Sequence, residues 1–268
     1  MKSASIISSK HSITTALTRT RSHTLDLLTQ IDESLLCLQV HPEFSPIGWH
    51  FGHIAFTEAY WILEQLADLA LSFSQTDRRL FAADGLPKQE RQNLPTVATI
   101  KEYLKTVRSQ TLNYLEIAPV AQQERLWRWL IQHETQHCET ICFLWQLHQQ
   151  RYLDLASFNP AQLISSEKKV ATTVSVTEMV KIEGGEFTIG SNAVDALDNE
   201  RPAHQIYLDT YWIDRHPVTC KQYAQFITAG GYQTQKYWCE AGWQWLQQHP
   251  VNQPLYWSHH ADWLDHPV

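Results

Sequence analysis

From Leu126 to His148 the chain contains neither glycine nor proline, and Leu126, Leu130, His133, His137, Ile141 and Leu144 recur at steps of three and four. That is the period of an α-helix, and it commits this stretch to a helix with one stripe facing a partner. Within the stripe stands His133-Glu134-Thr135-Gln136-His137. Side chains four residues apart on a helix have Cβ atoms about 5–6 Å apart, so both imidazoles can reach one metal ion. His148 extends the stripe, but at about 1.5 Å of rise per residue it lies too far along to share that ion with His133.

The chain of 268 residues has room for one large domain or two ordinary ones, and 43% hydrophobic with 18% charged residues describes a globular protein. A formal net charge of −7 offers no broad basic surface, so the composition argues against a nucleic-acid partner. The five cysteines, Cys37, Cys138, Cys142, Cys220 and Cys239, show no repeated CxxC spacing. Neither a disulfide framework nor a thiolate zinc site is indicated, and a reducing cytoplasm fits best. The first thirty residues lack the continuous apolar core of a signal peptide. No run approaches the roughly 20 apolar residues of a membrane span. The expectation is a soluble, cytoplasmic protein without a membrane partner.

The apolar positions Ile13, Leu17, Leu25, Leu27 and Leu28 predict a first helix over 12–31. A second opens at Ser45-Pro46, with Ser45 as the N-cap and Pro46 at the first helical position, and runs to Leu63. Trp49, His53, Phe56, Tyr60 and Leu63 form its stripe, so His53 points inward, whereas His50 lies off the stripe and reads as an ordinary residue. Residues 72–95 lack a period and read as a long polar loop, and a third helix is predicted over 97–115 from Ile100, Tyr103, Leu104, Val107 and Leu112. With the histidine-bearing helix these make a bundle. Residues 156–178 read as a linker, and the chain beyond residue 178 is β-rich, with strands at 180–182, 187–189 and 205–213. Thr219 and Gln222 form a capping box ahead of a short helix that stops at Gly230-Gly231. The tryptophan-rich last thirty-five residues read as irregular.

His-Glu-x-x-His is literally the signature of zinc hydrolases in which the glutamate, here Glu134, activates water. The extended form requires glycine at 140 and histidine at 143, where this chain has Thr140 and Phe143, and the nearest acidic third ligand, Glu167, lies in the linker. A purely structural histidine pair is the other alternative. Three neutral imidazoles, His53, His133 and His137, with open coordination positions suit Fe(II), Zn(II) or Ni(II), and spacing alone does not choose among them.

Three motifs in order carry a resemblance over nearly the whole chain. They are His41-Pro-Glu-Phe-Ser45-Pro-Ile-Gly-Trp49-His-Phe-Gly-His53-Ile-Ala-Phe-Thr-Glu58, His133-Glu-Thr-Gln-His137-Cys-Glu139, and Met179-Val-Lys-Ile-Glu-Gly-Gly-Glu-Phe-Thr-Ile-Gly190 with Glu200-Arg-Pro-Ala-His204 and Pro217-Val-Thr219. Together they resemble the ergothioneine-biosynthesis sulfoxide synthases. The resemblance implies an α+β protein with a DinB-like four-helix bundle over 1–155. The linker and then the N-terminal part of a C-type-lectin-like domain of the formylglycine-generating-enzyme type, over 179–268, would complete the chain. It also implies that His53, His133 and His137 hold a non-haem Fe(II). Gln136 would contact the imidazole of hercynine, and Lys88 and Arg91 would grip the carboxylates of a γ-glutamylcysteine or cysteine donor. The family reaction uses O₂ to form a C–S bond and a sulfoxide, and a selenium donor is not distinguished from sulfur here. Family members continue beyond the position of Val268, where the resemblance places the family's tyrosine. The expectation is therefore a truncated or split form, poor as a synthase alone, with a separate chain supplying the other half. The alternative from another class is a metal-binding scaffold or interaction subunit without activity of its own.

Overall fold

The computed structural model describes residues 2–70, 73–152, 179–255, 257 and 263–268. The chain divides into two compact units, Met1–Asn159 with Gly190–Pro202, and Pro160–Ile189 with Ala203–Val268. The fold is mixed α+β, helical in the first unit and with short strands in the second. The expected linker at 156–178 lies outside the described residues.

The first unit is built on α1 (Lys2–Gln30), a single-turn α2 (Glu33–Leu36), α3 (Ile47–Glu58), α4 (Gln75–Phe81), α5 (Val97–Ile117) and α6 (Val120–Tyr152). Helices α1 and α3 each pack against both α5 and α6, the arrangement of a four-helix bundle. Helix α1 begins ten residues before the start predicted at residue 12. Its first turns are Ser-rich and without period, but they contain no glycine or proline to stop a helix.

Helix α3 starts one position later than the sequence predicts. Pro46 occupies the cap, and Ser45 instead accepts a hydrogen bond from Arg91 Nη1 at 3.1 Å. More consequential is its burial, because every one of its twelve residues is buried. An amphipathic reading assigns one face to the core. Here α2, α4 and Leu94 cover the remaining faces, and Gly48 and Gly52 allow that approach. Beyond Glu58 the helix widens into a π-helical stretch, Ala59–Glu64.

Residues 72–95 are not simply a loop. Ser74 Oγ caps α4 by accepting from the Asp77 N–H at 3.1 Å, and a 3₁₀ turn stands at Lys88–Glu90. Helix α4 is too short to establish a period, yet Phe73, Leu80 and Phe81 are buried. A Cβ on Gly52 would overlap the Phe81 ring. Gly52→Ala is therefore expected to cost stability although alanine is the better helix former by about 1 kcal/mol. Overpacking costs about 1–3 kcal/mol, so a net loss of up to about 2 kcal/mol should appear in thermal melting.

One charged side chain from each long helix meets at the centre of this bundle: Arg21 of α1, Glu58 of α3, Arg108 of α5 and Glu134 of α6. Glu134 accepts from Arg21 Nε at 2.7 Å and from Arg108 Nη2 at 2.6 Å. Glu58 accepts from Arg21 Nη2 at 2.6 Å and from Arg108 Nη2 at 2.7 Å. All four are at least 95% buried. Burial alone would raise both carboxyl pKa values, but the guanidinium groups outweigh it: Glu58 is held at about 2, and Glu134 below its usual range.

In the second unit β1 (Met179–Ile182) pairs antiparallel with β4 (Tyr211–Asp214), and β2 (Gly185–Ile189) with β3 (His204–Leu208). The alternating run 205–213 thus splits into two strands in two sheets. The break falls at Asp209-Thr210, where Thr210 Oγ1 accepts from the Gly184 N–H at 3.0 Å. The capping box of Thr219 and Gln222 starts α7 (Cys220–Thr228), and Gly230, at φ +74, lies just past its end. The tryptophan-rich tail is not wholly irregular, since Cys239 caps a further helix, α8 (Glu240–Gln248), which buries Leu246. All five cysteines are unpaired.

Candidate metal centre

Helix α3 contributes His53 to the bundle interior, and α6 contributes His133 and His137. Ring centroids are 5.1 Å apart for His53 and His133, 4.8 Å for His53 and His137, and 4.5 Å for His133 and His137. One nitrogen from each lies within 4.8 Å of the others, the one such histidine, cysteine and carboxylate group among the described residues. His53 Nε2 and His133 Nε2 are 3.2 Å apart. Two nitrogens each about 2.1 Å from one ion, at an angle near 100°, stand about 3.2 Å apart.

Protonation favours the same use. Burial pushes His53 down to about 4, His133 to about 3 and His137 to about 2, with neighbouring imidazoles lowering the last two further. At neutral pH these rings are uncharged and can offer lone pairs, as a metal requires. The donor set and its protonation state fit a divalent transition metal.

His53 is held from two sides. Its Nδ1–H donates to the Phe81 carbonyl at 2.6 Å, which leaves Nε2 without a proton, and the Trp49 ring stacks on it at 4.4 Å and 13°. Trp49 in turn donates from Nε1 to the Leu80 carbonyl at 2.7 Å and carries the Arg91 guanidinium 4.3 Å above its ring. Polarised, partly fixed ligands of this kind bind metals more firmly than free imidazoles.

The other expected site residues are more widely spread. Gln136 is exposed on α6, one position before His137. Lys88 is exposed and donates from Nζ to the Glu43 carbonyl at 2.6 Å. Arg91 is buried, and its three guanidinium nitrogens donate to Leu86 O, Ser45 Oγ and Ala83 O. His50, read from sequence as off the stripe, is 6% exposed and lies 2.8 Å from His137, Nδ1 to Nδ1. The sequence signal for it was its spacing from His53, since residues three apart lie side by side on one helix face. The carboxylate of Glu134 is engaged by Arg21, Arg108 and Thr24 Oγ1 at 2.6 Å. It is therefore not free to activate water, and the hydrolase alternative lacks its base; Glu167 lies outside the described residues.

Within the same unit a groove of about 580 Å³ is lined by Trp61, Leu126, Trp129, Gln132 and the segment Val194–Asp198. Trp129 connects it to the centre, its ring 5.1 Å from that of His133.

The four most strongly depressed histidines imply a pH response, since burial brings His50 to about 3 as well. The unfolded chain takes up these protons from about pH 6.5 downward, whereas the folded chain does so only near pH 2–4. Stability of the metal-free protein is thus fully present above about pH 6.5 and is lost as pH falls towards 4. Urea midpoints should drop between pH 7 and 5, above the range in which Glu58 and Glu134 titrate. Replacing His133 and His137 by phenylalanine should flatten that slope.

A helical bundle that gathers three neutral imidazoles has the donor set of a metal site, and comparison with known proteins identifies the fold that carries it as DinB-like. A model of the DinB superfamily matches residues 16–141, and a model of the sulfatase-modifying factor enzyme 1-like domain matches 165–268. The two matches stand in this order along the chain, helical domain first. It is similar to the hercynine oxygenase of Mycobacterium tuberculosis, at 30% identity over 252 residues, covering 90% of this chain and 56% of that protein. It is also similar to the hercynine oxygenase of Mycolicibacterium smegmatis, at 31% over 245 residues, covering 89% and 55%. The chain spans about half the length of these relatives. Among the described residues no helix is long and apolar enough to cross a membrane.

Proposed function

We infer that the chain provides the metal centre of an O₂-dependent oxidoreductase that joins hercynine to a cysteine-type thiol, with Fe(II) as the metal. The observation that carries this reading is the meeting of His53, His133 and His137 in a chain similar to hercynine oxygenases over nine-tenths of its length. The reaction balances without an external reductant: the imidazole C–H and the thiol S–H are lost, a C–S bond forms, and O₂ supplies the sulfoxide oxygen and one water.

The three imidazoles would hold iron, which supplies the redox chemistry between thiol and O₂. The protein's own work is positioning. Phe81 O and Trp49 fix His53, and the buried quartet fixes the rotation of α6. Gln136, exposed beside His137, is the candidate contact to the substrate imidazole. Of the two basic residues, Lys88 has the exposed ammonium suited to a donor carboxylate, while Arg91 supports Trp49. A cytoplasmic setting belongs to the same proposal.

The test is to load the protein with Fe(II) without oxygen, then add hercynine, γ-glutamylcysteine or cysteine, and O₂, and to monitor sulfoxide by mass spectrometry. Sulfoxide formation lost in Gln136→Ala would support the assignment. Iron binding without product would refute synthase activity in this chain alone, and failure to bind iron would refute the centre itself.

A further inference from the structure

His50 lies one turn before His53 on α3 but faces a different partner. Its Nδ1 is 2.8 Å from Nδ1 of His137, and its ring centroid is 5.1 Å from that of His137. The Trp49 ring stands edge-on to it at 5.3 Å and 86°. His50 does not belong to the set of ligand nitrogens gathered within 4.8 Å. Its hydrogen-bonding contact with the centre is to His137.

A hydrogen bond between two imidazole nitrogens requires one N–H and one lone pair. A ring that gives a lone pair to a metal carries at most one proton, and the 2.8 Å contact between the two Nδ1 atoms holds one proton between them. If His137 offers Nε2 to a metal, its single proton sits on Nδ1. It must then donate, and His50 Nδ1 must accept. That choice forces the proton of His50 onto Nε2, which is buried and makes no hydrogen bond of good geometry. The Ser45 carbonyl is the main-chain acceptor beside the ring.

We propose that His50 is a positioning residue for the metal centre: by accepting the Nδ1–H of His137 it holds that ligand in the one tautomer and ring orientation that present Nε2 to the ion. The inference rests on the metal reading above. It gives His137 what the Phe81 carbonyl gives His53. The two ligands differ in how the acceptor is built, since His53 is served by main chain and His137 by a side chain. The role of the latter can therefore be removed by substitution without touching a ligand. Outer acceptors of this kind are worth about 10–100-fold in metal affinity.

The test compares wild type, His50→Leu and His50→Asn, titrated anaerobically with Co(II) as a spectroscopic probe and melted in the metal-free state. Leucine keeps bulk and removes the acceptor; asparagine places an amide oxygen close to where Nδ1 stands. The expected result is that Leu binds Co(II) about 10–100-fold more weakly than wild type, and Asn within about threefold of it. The metal-free melting temperatures should show no such order. Equal affinity of Leu and wild type would overturn the proposal while leaving the three-histidine centre intact. A loss in Asn as large as in Leu, at equal melting temperature, would overturn it too. Failure of wild type itself to bind would instead remove the metal reading. Should His50→Leu not fold, ¹⁵N NMR of the Zn(II)-loaded wild type decides: protons on His137 Nδ1 and His50 Nε2 support the proposal, and the reverse tautomers overturn it.

Discussion

His53→Ala, purified without oxygen and loaded with Fe(II), is expected to lose metal affinity by about 100-fold or more, while its helical content stays that of wild type. Loss of an outer partner alone costs about 10–100-fold, and a direct ligand should cost at least the upper end of that range. The reason lies in how the centre is assembled. His133 and His137 come from one helix, but His53 reaches them from α3, and it is fixed in place by Phe81 O and Trp49. Truncation removes a nitrogen that no neighbour replaces, since the nearest alternative, His50, is engaged with His137. Metal analysis and a competition titration give the answer. Equal metal content in wild type and His53→Ala would end the three-histidine assignment, whatever His133 and His137 do.

Glu134→Ala is the second large effect, and it should fall on stability. The substitution leaves Arg21 and Arg108 buried with half of their countercharge. Breaking a buried pair from one side costs about 3–5 kcal/mol. At about 2–4 °C per kcal/mol for a chain of this size, melting should fall by on the order of 10 °C. A hydrolase reading of His-Glu-x-x-His predicts the opposite pattern, with unchanged melting and lost hydrolysis, because there the glutamate faces a water. A shift smaller than about 2 °C would show that the quartet does not hold the bundle together. The same quartet explains the facing of α6. Glu134 is one residue from His133, so turning the histidines towards α3 carries the carboxylate round to Arg21 of α1 and Arg108 of α5.

Period and spacing were legible in the sequence wherever a helix was long and had one apolar stripe. The helices read over 97–115 and 126–148, each of which extends further in the structure, the inward direction of His53, the His133–His137 pair and the capping box at Thr219 all belong to that class. Short or doubly buried segments were not legible. Helix α4 has too few residues to show a period, α8 lies in a run of tryptophans that masks it, and the strand at 205–213 conceals a break that only the Gly184–Thr210 approach reveals.

By itself the sequence determined the two ligands of α6 and the direction of the third, because those depend on 3.6-residue geometry within single helices. It also carried the order of the two domains. Tertiary structure alone decided the rest of the centre. It buried α3 on every side, brought the Phe81 carbonyl to His53 and His50 to His137, stacked Arg91 on Trp49, and locked Glu134 between two arginines. Each of these joins residues from different elements, and the distance between such residues is set by packing and hydrogen bonding across the bundle rather than by their spacing along the chain.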